Sequence, residues 1–468
     1  MTAKRHAFAE RREIVGHSQE ALARAVGVQP TTVGRWERGE TCPQPQCRPK
    51  LADALSVSVE ELDTLLAEGQ PVDDGRSRSS ELWDGGEPLH SDAAQELFDG
   101  PEHEPVLALP WNHRGTVEVA VVLGGGGRPV ERRGFVFLGG MALTAPAHQW
   151  LVHEPGPLVS GLSGRRVSAG LADRLRAMIP ELRAMDDLAG GGTVLAMAQQ
   201  EFGVVAELLD QASYDETTGH RLHVTLAELG QLAGWAAYDS GQPGLAQLYY
   251  IAALRAAHTA GDRPLDAHIL GSMAYQAARE GHPREAVTLV ETAVVGVRGR
   301  ETASLLTALY SRQAYALATL RDSSGCVAAI SKSRTYVERL KHDDEPPYLY
   351  WVGPGEVTAG AGRCLLQLGK ADQAVTMLQD GIALFDESFI RDRTNFLIRL
   401  AEAHVHPGPQ RDLDAAAGQG IAALDLSANL DSTRGVGRLR DLYRQLKPHA
   451  KVPAVGDFLD RARGLVAV

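Results

Sequence analysis

The chain is 468 residues long, room for about three domains at roughly 150 residues each, so a single small module is excluded. Hydrophobic residues at 44% and charged residues at 23% are ordinary for a globular chain, whereas aromatics at 6% and the lack of long Val-, Ile- or Thr-rich stretches disfavour a β-sandwich or barrel. A formal charge of −12, read as a whole-chain average, argues against a polyanionic partner.

The charge is unevenly spread. Residues 1–50 carry nine Lys/Arg against five acids, +4, which leaves −16 for the remainder. The N-terminus is thus a locally basic module on an acidic chain. Residues 69–104 hold ten acids, two arginines and many Gly, Ser and Pro, a composition that cannot offset the entropy of ordering and is read as a linker. Four cysteines, Cys42, Cys47, Cys326 and Cys364, form no disulfide framework and suit a reducing compartment. The opening residues meet charge before an apolar core of signal-peptide length, and no apolar run reaches the ~18 residues that cross a bilayer, so the expected location is cytoplasmic, with no membrane partner.

Phe8, Ala9, Ile14 and Val15 form the apolar side of a short helix ending at Gly16. Ser18 then caps a second helix with Ala21, Leu22 and Ala25 inward, and Gly27 supplies the left-handed turn. A third helix runs from Gln29 or Pro30 to about Arg38, with Val33 and Trp36 inward and Gly39 at its end. Helix, tight glycine turn and helix make the arrangement that lays its second helix in the major groove. The run SQEALARAVGVQPTTVGRWERGE, followed by RPKLADALSVSVEELDTLL, resembles the Cro/phage-repressor or XRE type of helix-turn-helix domain over about residues 8–67.

That resemblance implies a five-helix fold and a double-stranded DNA operator as partner. It places Gln19 on a phosphate at the start of its helix. Pro30, Thr31 and Arg35 stand where relatives touch base edges, flanked by Gln29 and Thr32, although Pro30 replaces the polar residue common there. Arg35 is the best fitted to bidentate guanine reading, while Thr31 and Thr32 suit a thymine methyl or a phosphate. Arg38, Arg48 and Lys50 add sequence-neutral phosphate contacts. The resemblance also implies a core ion pair between Arg12 and Glu37. The competing reading, protein contact only, is weaker because the basic and short polar residues fall on the face opposite Val33 and Trp36. Cys42 and Cys47 lack the second pair that a zinc finger needs, and no metal is expected.

Residues 105–165 read as a connecting, helical segment. Within it, ERRGFVFLGGMALTAPAHQWL at 131–151 imitates a twin-arginine export signal, but the better reading is a buried helix after a basic turn, ended by Pro146.

From 166 to 468 the chain reads as successive helices with alanine-rich apolar faces. Small, large, small triplets recur at Ala246, Tyr250, Ala253; Ala286, Val290, Ala293; Cys326, Ile330, Ser333; Ala374, Leu378, Gly381; and Ala416, Gly420, Ala423. Their intervals of 40, 40, 48 and 42 exceed the ~34 of a tetratricopeptide unit. The segment resembles a degenerate tetratricopeptide array with lengthened helices, which implies an open superhelix with a concave face lined by the first helix of each pair.

Carrying that register across aligns Trp235, Tyr275, Tyr315 and Arg363, with Glu228, His268 and Glu356 one or two turns earlier and Tyr238 and Ser311 nearby. These nine are candidate effector-binding residues. Inter-repeat packing explains an aromatic stripe at helical spacing equally well. Tyr348, Tyr350 and Trp351 fill the one enlarged interval and form a second candidate.

Enzyme signals are weak. Gly124–Gly127 lack the Lys-Ser/Thr of a phosphate loop, so they read as a flexible turn, as do Gly190–Gly192. His220, His223, His404 and His406 lack the spacing of a zinc hydrolase and read as caps or core, and no nucleophile motif stands out. No catalytic residue and no cofactor are expected. The chain reads as an all-α, one-component transcription regulator of a high-GC bacterium, with a DNA-binding head at 1–68, a linker at 69–104 and a helical-repeat body that binds a small-molecule or peptide effector and forms a homodimer. The rival reading is a scaffold whose repeats recruit a partner protein to DNA.

Overall fold

The computed structural model describes residues 8–9, 11–12, 15, 17–37, 43, 47–55, 57, 62, 109–124, 138–156, 161, 164–341, 344–409 and 411–466. The chain divides into two compact units, Met1–His90 and Ser91–Val468. Among the described residues there is no strand, only isolated bridges between Gly161 and Tyr214 and between Arg166 and Ser213. The acidic stretch 69–104 lies outside the described residues.

The first unit holds α1 (Gln19–Val26), α2 (Pro30–Glu37) and α3 (Arg48–Leu55), with Phe8, Ala9, Arg11 and Arg12 also helical. Ser18 caps α1 by accepting from the Ala21 N–H at 3.1 Å. Gly27, at φ 81°, closes the helix, and its N–H and that of Val28 both donate to the Ala23 carbonyl. The buried stripe of α1 is Leu22, Ala23 and Val26, not Ala21, Leu22 and Ala25: Ala25 points to solvent because the contacts with α2 and α3 rotate the inner face by one residue. These side chains meet Phe8, Val33, Trp36, Leu51, Leu55 and Leu62 in one core.

The second unit opens with α4 (His113–Gly124) and α5 (Met141–Val152), followed by α6 (Ala169–Ala177), α7 (Ile179–Ala189) and α8 (Gly191–Gln211). Pro146 does not end α5 but sits inside it. Its ring is buried beside Leu143, Ala147 and Trp150, and this packing offsets the ~3 kcal/mol that an interior proline costs. Trp150 donates to Asp266 at 2.6 Å, which anchors α5 on the body.

Helices α9 (Glu216–Asp239) and α10 (Pro243–Ala260), α11 (Arg263–Arg279) and α12 (Pro283–Gly296), α13 (Ala303–Thr319) and α14 (Ser323–Val337), α15 (Pro354–Gln367) and α16 (Ala371–Ala383), and α17 (Ile390–Val405) and α18 (Leu413–Ser427) pack as successive pairs. α19 (Thr433–Leu446), α20 (Pro453–Arg461) and α21 (Arg463–Val466) finish the chain. Four pairs turn on a left-handed residue, Gly241, Gly281, Arg321 and Gly369, Arg321 carrying its side chain at φ 62°. The triplets of small and large residues lie on α10, α12, α14, α16 and α18, all buried except the half-buried Ile330.

The stack does not remain open. α7 meets α17, and α9 meets α19. The loop before α19 presses on the start of α8: Asp431 N–H donates to the Ala189 carbonyl at 2.7 Å and Gly192 N–H to the Asp431 carbonyl at 2.9 Å. Gly190–Gly192 therefore form a close-approach site rather than a flexible turn, since a Cβ on Gly192 would stand 2.1 Å from an Asp431 carboxylate oxygen.

Small residues on the paired helices set how closely they cross. A Cβ on Gly381 would lie 2.3 Å from the Ala359 backbone nitrogen, whereas one on Gly418 meets nothing within 4 Å. Gly381→Ala is expected to lower stability by about 1–3 kcal/mol, and Gly418→Ala, in an open helix position, to raise it by about 0.5–1 kcal/mol. Thermal unfolding of the two variants checks this; equal midpoints would contradict it.

Candidate functional site

In the first unit, α2 follows the Gly27 turn and buries Val33, Gly34 and Trp36, leaving Thr31 and Arg35 exposed and Thr32 half-exposed. Gln29 and Lys50 are exposed as well. Pro30 and Arg48 begin their helices, and Arg38 lies outside the described residues. Arg12 Nε donates to Glu37 at 2.6 Å with both side chains mostly buried, and Arg12 Nη1 donates to the His17 carbonyl. The amide of Gln19 donates to the other Glu37 oxygen at 2.5 Å. The Gln19 side chain thus completes the network that fixes α2 against the helical residues 11–12. Such a network holds the exposed face of α2 at a fixed attitude, which base reading requires.

The second unit holds a concave space of about 850 Å³, open solvent included, between α7, α9, α11, α13, α15, α17 and α19. Seven arginines line it, Arg183, Arg312, Arg363, Arg391, Arg399, Arg434 and Arg438, against three carboxylates, Asp186, Glu356 and Asp392. Its aromatic wall is Trp235, Tyr275, Tyr348, Tyr350, Trp351 and Phe396.

The register drawn from the repeats brings its members together. Trp235 and Tyr275 are 5.8 Å apart, Tyr275 and Tyr315 5.8 Å, and the Arg363 guanidinium lies 4.8 Å from Tyr315 and 5.7 Å from Phe396. Trp235, His268, Tyr275, Glu356 and Arg363 line the cavity, as do Tyr348, Tyr350 and Trp351 from the enlarged interval. Four residues of the expected set stand behind it. Tyr315 lies under Arg363, and Tyr238 donates to Glu280 at 3.1 Å. Glu228 holds Arg183 at 3.0 Å and Arg176 at 2.9 Å. Ser311 faces away, 2.8 Å from Ser333 on the neighbouring α14.

The arginines of α17 and α19 escaped the register because they arrive from the far end of the stack. Arg391 is hydrogen-bonded to Asp186 and, at 2.8 Å, to Asp187, and lies 5.3 Å from the Trp235 ring. Arg434 pairs with Asp239 at 2.9 Å and stands 4.9 Å from Trp235 and from Tyr238. Tyr350 donates to Asp187 at 2.5 Å, and Tyr348 stacks on His268 at 5.0 Å. The pairs Arg391/Arg399 and Arg434/Arg438, at helical spacing, were the available signal.

Charge in the cavity is set by burial and crowding. Burial alone would raise the Tyr275 phenol, but Arg279, Arg434, Arg363 and Arg438 outweigh it and hold the phenol well below its usual range. Arg438 is lowered to about 9 by burial and by Arg279 and Arg399, and stays charged at neutral pH. Burial, with Asp392 beside it, pushes Glu356 up to about 7 against the pull of Arg363 and Arg312. A carboxylate raised on folding binds a proton that the unfolded chain, at 4.5, releases. Its contribution to stability therefore falls as pH rises from about 4.5 through about 7. Glu356→Gln is expected to shrink the loss of thermal midpoint between pH 5.5 and pH 8, and an undiminished loss in the variant would contradict the assignment.

Among the described residues no helix is long and apolar enough to cross a membrane, and no group of three or more His, Cys, Asp or Glu could hold a metal ion. No curated protein matches the chain. Residues 8–62 match the helix-turn-helix family model, of the XRE type, which supports a DNA-binding regulator.

Proposed function

We propose that the chain is a sequence-specific transcription regulator whose helical body binds a small-molecule or peptide effector and joins two copies. The observation that carries the DNA reading is the match at residues 8–62 together with the exposed Thr31 and Arg35 on a helix whose opposite face is core. Arg35 reads a guanine edge, Thr31 and Thr32 meet a thymine methyl or a phosphate, and Gln29 and Pro30 flank them at the entry to the groove. Arg38, Arg48 and Lys50 contribute phosphate contacts that set the register, as does Gln19 from the start of its helix, where its amide also holds Glu37. One such head spans few base pairs, so two heads on paired half-sites are needed for selectivity.

The effector reading draws on the cavity in the second unit, a concave, aromatic-walled space with convergent charge. The pairwise stacking of α9 to α18 accords with a lengthened tetratricopeptide architecture. Binding in the cavity shifts the population of body conformations, and with it the freedom of the two heads to sit on one operator.

Selection of genomic fragments by the intact chain, followed by Arg35→Ala, tests the DNA reading. The variant is expected to lose selected fragments by about 1–3 kcal/mol with little change in salt dependence, whereas Lys50→Ala weakens all fragments alike and lowers the salt slope. An intact protein that selects no fragment would overturn the regulator reading and leave the scaffold as the alternative.

A further inference from the structure

The guanidinium groups of the cavity are not equally neutralised. Arg391 is surrounded by Asp186, Asp187 and Asp392, Arg434 by Asp239, Arg183 by Glu228 and Arg399 by Glu402. Arg312, Arg363 and Arg438, with Arg279 behind them, have no salt bridge among the described residues. They gather around one ring: Arg312 stands 4.4 Å, Arg363 5.7 Å and Arg279 5.8 Å from the Tyr275 centroid. Aromatic faces and a neutral amide occupy the places that carboxylates would take. Arg312 lies between Tyr275 and Trp351, Arg363 over Tyr315, and Arg438 Nη1 donates to the Asn395 oxygen at 2.5 Å.

Desolvated cations without a salt bridge are costly, and polar atoms here stay unsatisfied. Nε of Arg363 and of Arg438 and both Nε and Nη1 of Arg279 are buried with no hydrogen-bond partner among the described residues. Among the described residues of the lining, the carboxylates that act on this cluster are Glu356, on Arg312 and Arg363, and Asp392, on Arg312, and neither forms a salt bridge with it. A neutral or cationic ligand would leave this cluster as it stands, whereas an anion with several oxygens satisfies the free N–H groups and the charge together.

We propose that the cavity binds a small molecule carrying two or more negative charges on oxyanion groups, held by Arg312, Arg363 and Arg438 beside Tyr275. This rests on the effector reading of the cavity and names the chemistry of its ligand. Phosphate esters and polycarboxylates share that chemistry.

Isothermal titration of the full chain at fixed ionic strength, with pyrophosphate, benzene-1,3,5-tricarboxylate and the monoanion benzoate as probes, tests it. At least one multivalent probe is expected to bind one per chain and at least tenfold more tightly than benzoate, and which one binds separates phosphate from carboxylate recognition. Arg363→Met is expected to weaken that binding at least tenfold. Because removing a buried cation can perturb folding, the decisive variant is Asn395→Asp, which supplies a carboxylate to Arg438 without changing shape. It is expected to raise the thermal midpoint and to weaken anion binding at least tenfold. Absence of saturable binding by both multivalent probes, or binding unchanged in Asn395→Asp, would overturn the proposal.

The effector reading is tested apart from it by Ser272→Trp, which fills the cavity. If that variant changes fragment binding while no anion binds, the effector reading stands and the anion proposal fails. If anions bind but neither they nor Ser272→Trp alters fragment binding, the anion proposal stands and the effector reading fails.

Discussion

The second unit depends on buried ion pairs that join the two ends of a helical stack. Arg391 on α17 reaches back about two hundred residues to Asp186 and Asp187 on α7, and Arg434 on α19 reaches Asp239 on α9. Desolvating such charges costs as much as their attraction returns, so these pairs are poor candidates for raw stability. Breaking one is another matter, because the remaining partner is left buried and uncompensated, at a cost of about 3–5 kcal/mol. Their effect is specificity of closure: only when the ends meet in one register are all five groups matched. The cavity exists because of that closure.

Closure also explains how an acidic chain comes to hold strongly positive interior space. The average charge of −12 conceals two basic regions, the first fifty residues and the cavity wall. In the first, Arg35 and Lys50 are exposed, where water and salt screen their charge. The second is desolvated, so each unmatched guanidinium there acts at short range and with far greater weight. Tyr275, Tyr315 and Trp351 make this tolerable by giving Arg312 and Arg363 a π-face in place of a carboxylate.

What the sequence reveals and hides follows from range. The helix-turn-helix head is local: Ser18 as cap, Gly27 at φ 81° and the inward Val33 and Trp36 are each set by neighbours a few residues away. The one-residue shift of the α1 stripe to Leu22, Ala23 and Val26 came from packing on α2 and α3, which periodicity alone does not fix. In the body, the spacing of 40 places Trp235, Tyr275 and Tyr315 in contact because adjacent helix pairs repeat one geometry. The same register cannot find Arg391, Arg434 or Arg438, whose place beside Trp235 and Tyr275 depends on the whole curvature of the stack. Pro146 inside α5 is similar, since burial against the body overrides the local helix-breaking rule.

Hydrogen–deuterium exchange of Arg391→Met reads the closure most directly. With the cation gone, amides of α7 and α17 are expected to exchange at least tenfold faster, while α11 to α14, far from the junction in sequence and packed on their own neighbours, keep their protection. Unchanged protection in α7 and α17, or uniform loss across the second unit, would contradict the claim that these ion pairs hold the ends of the stack together.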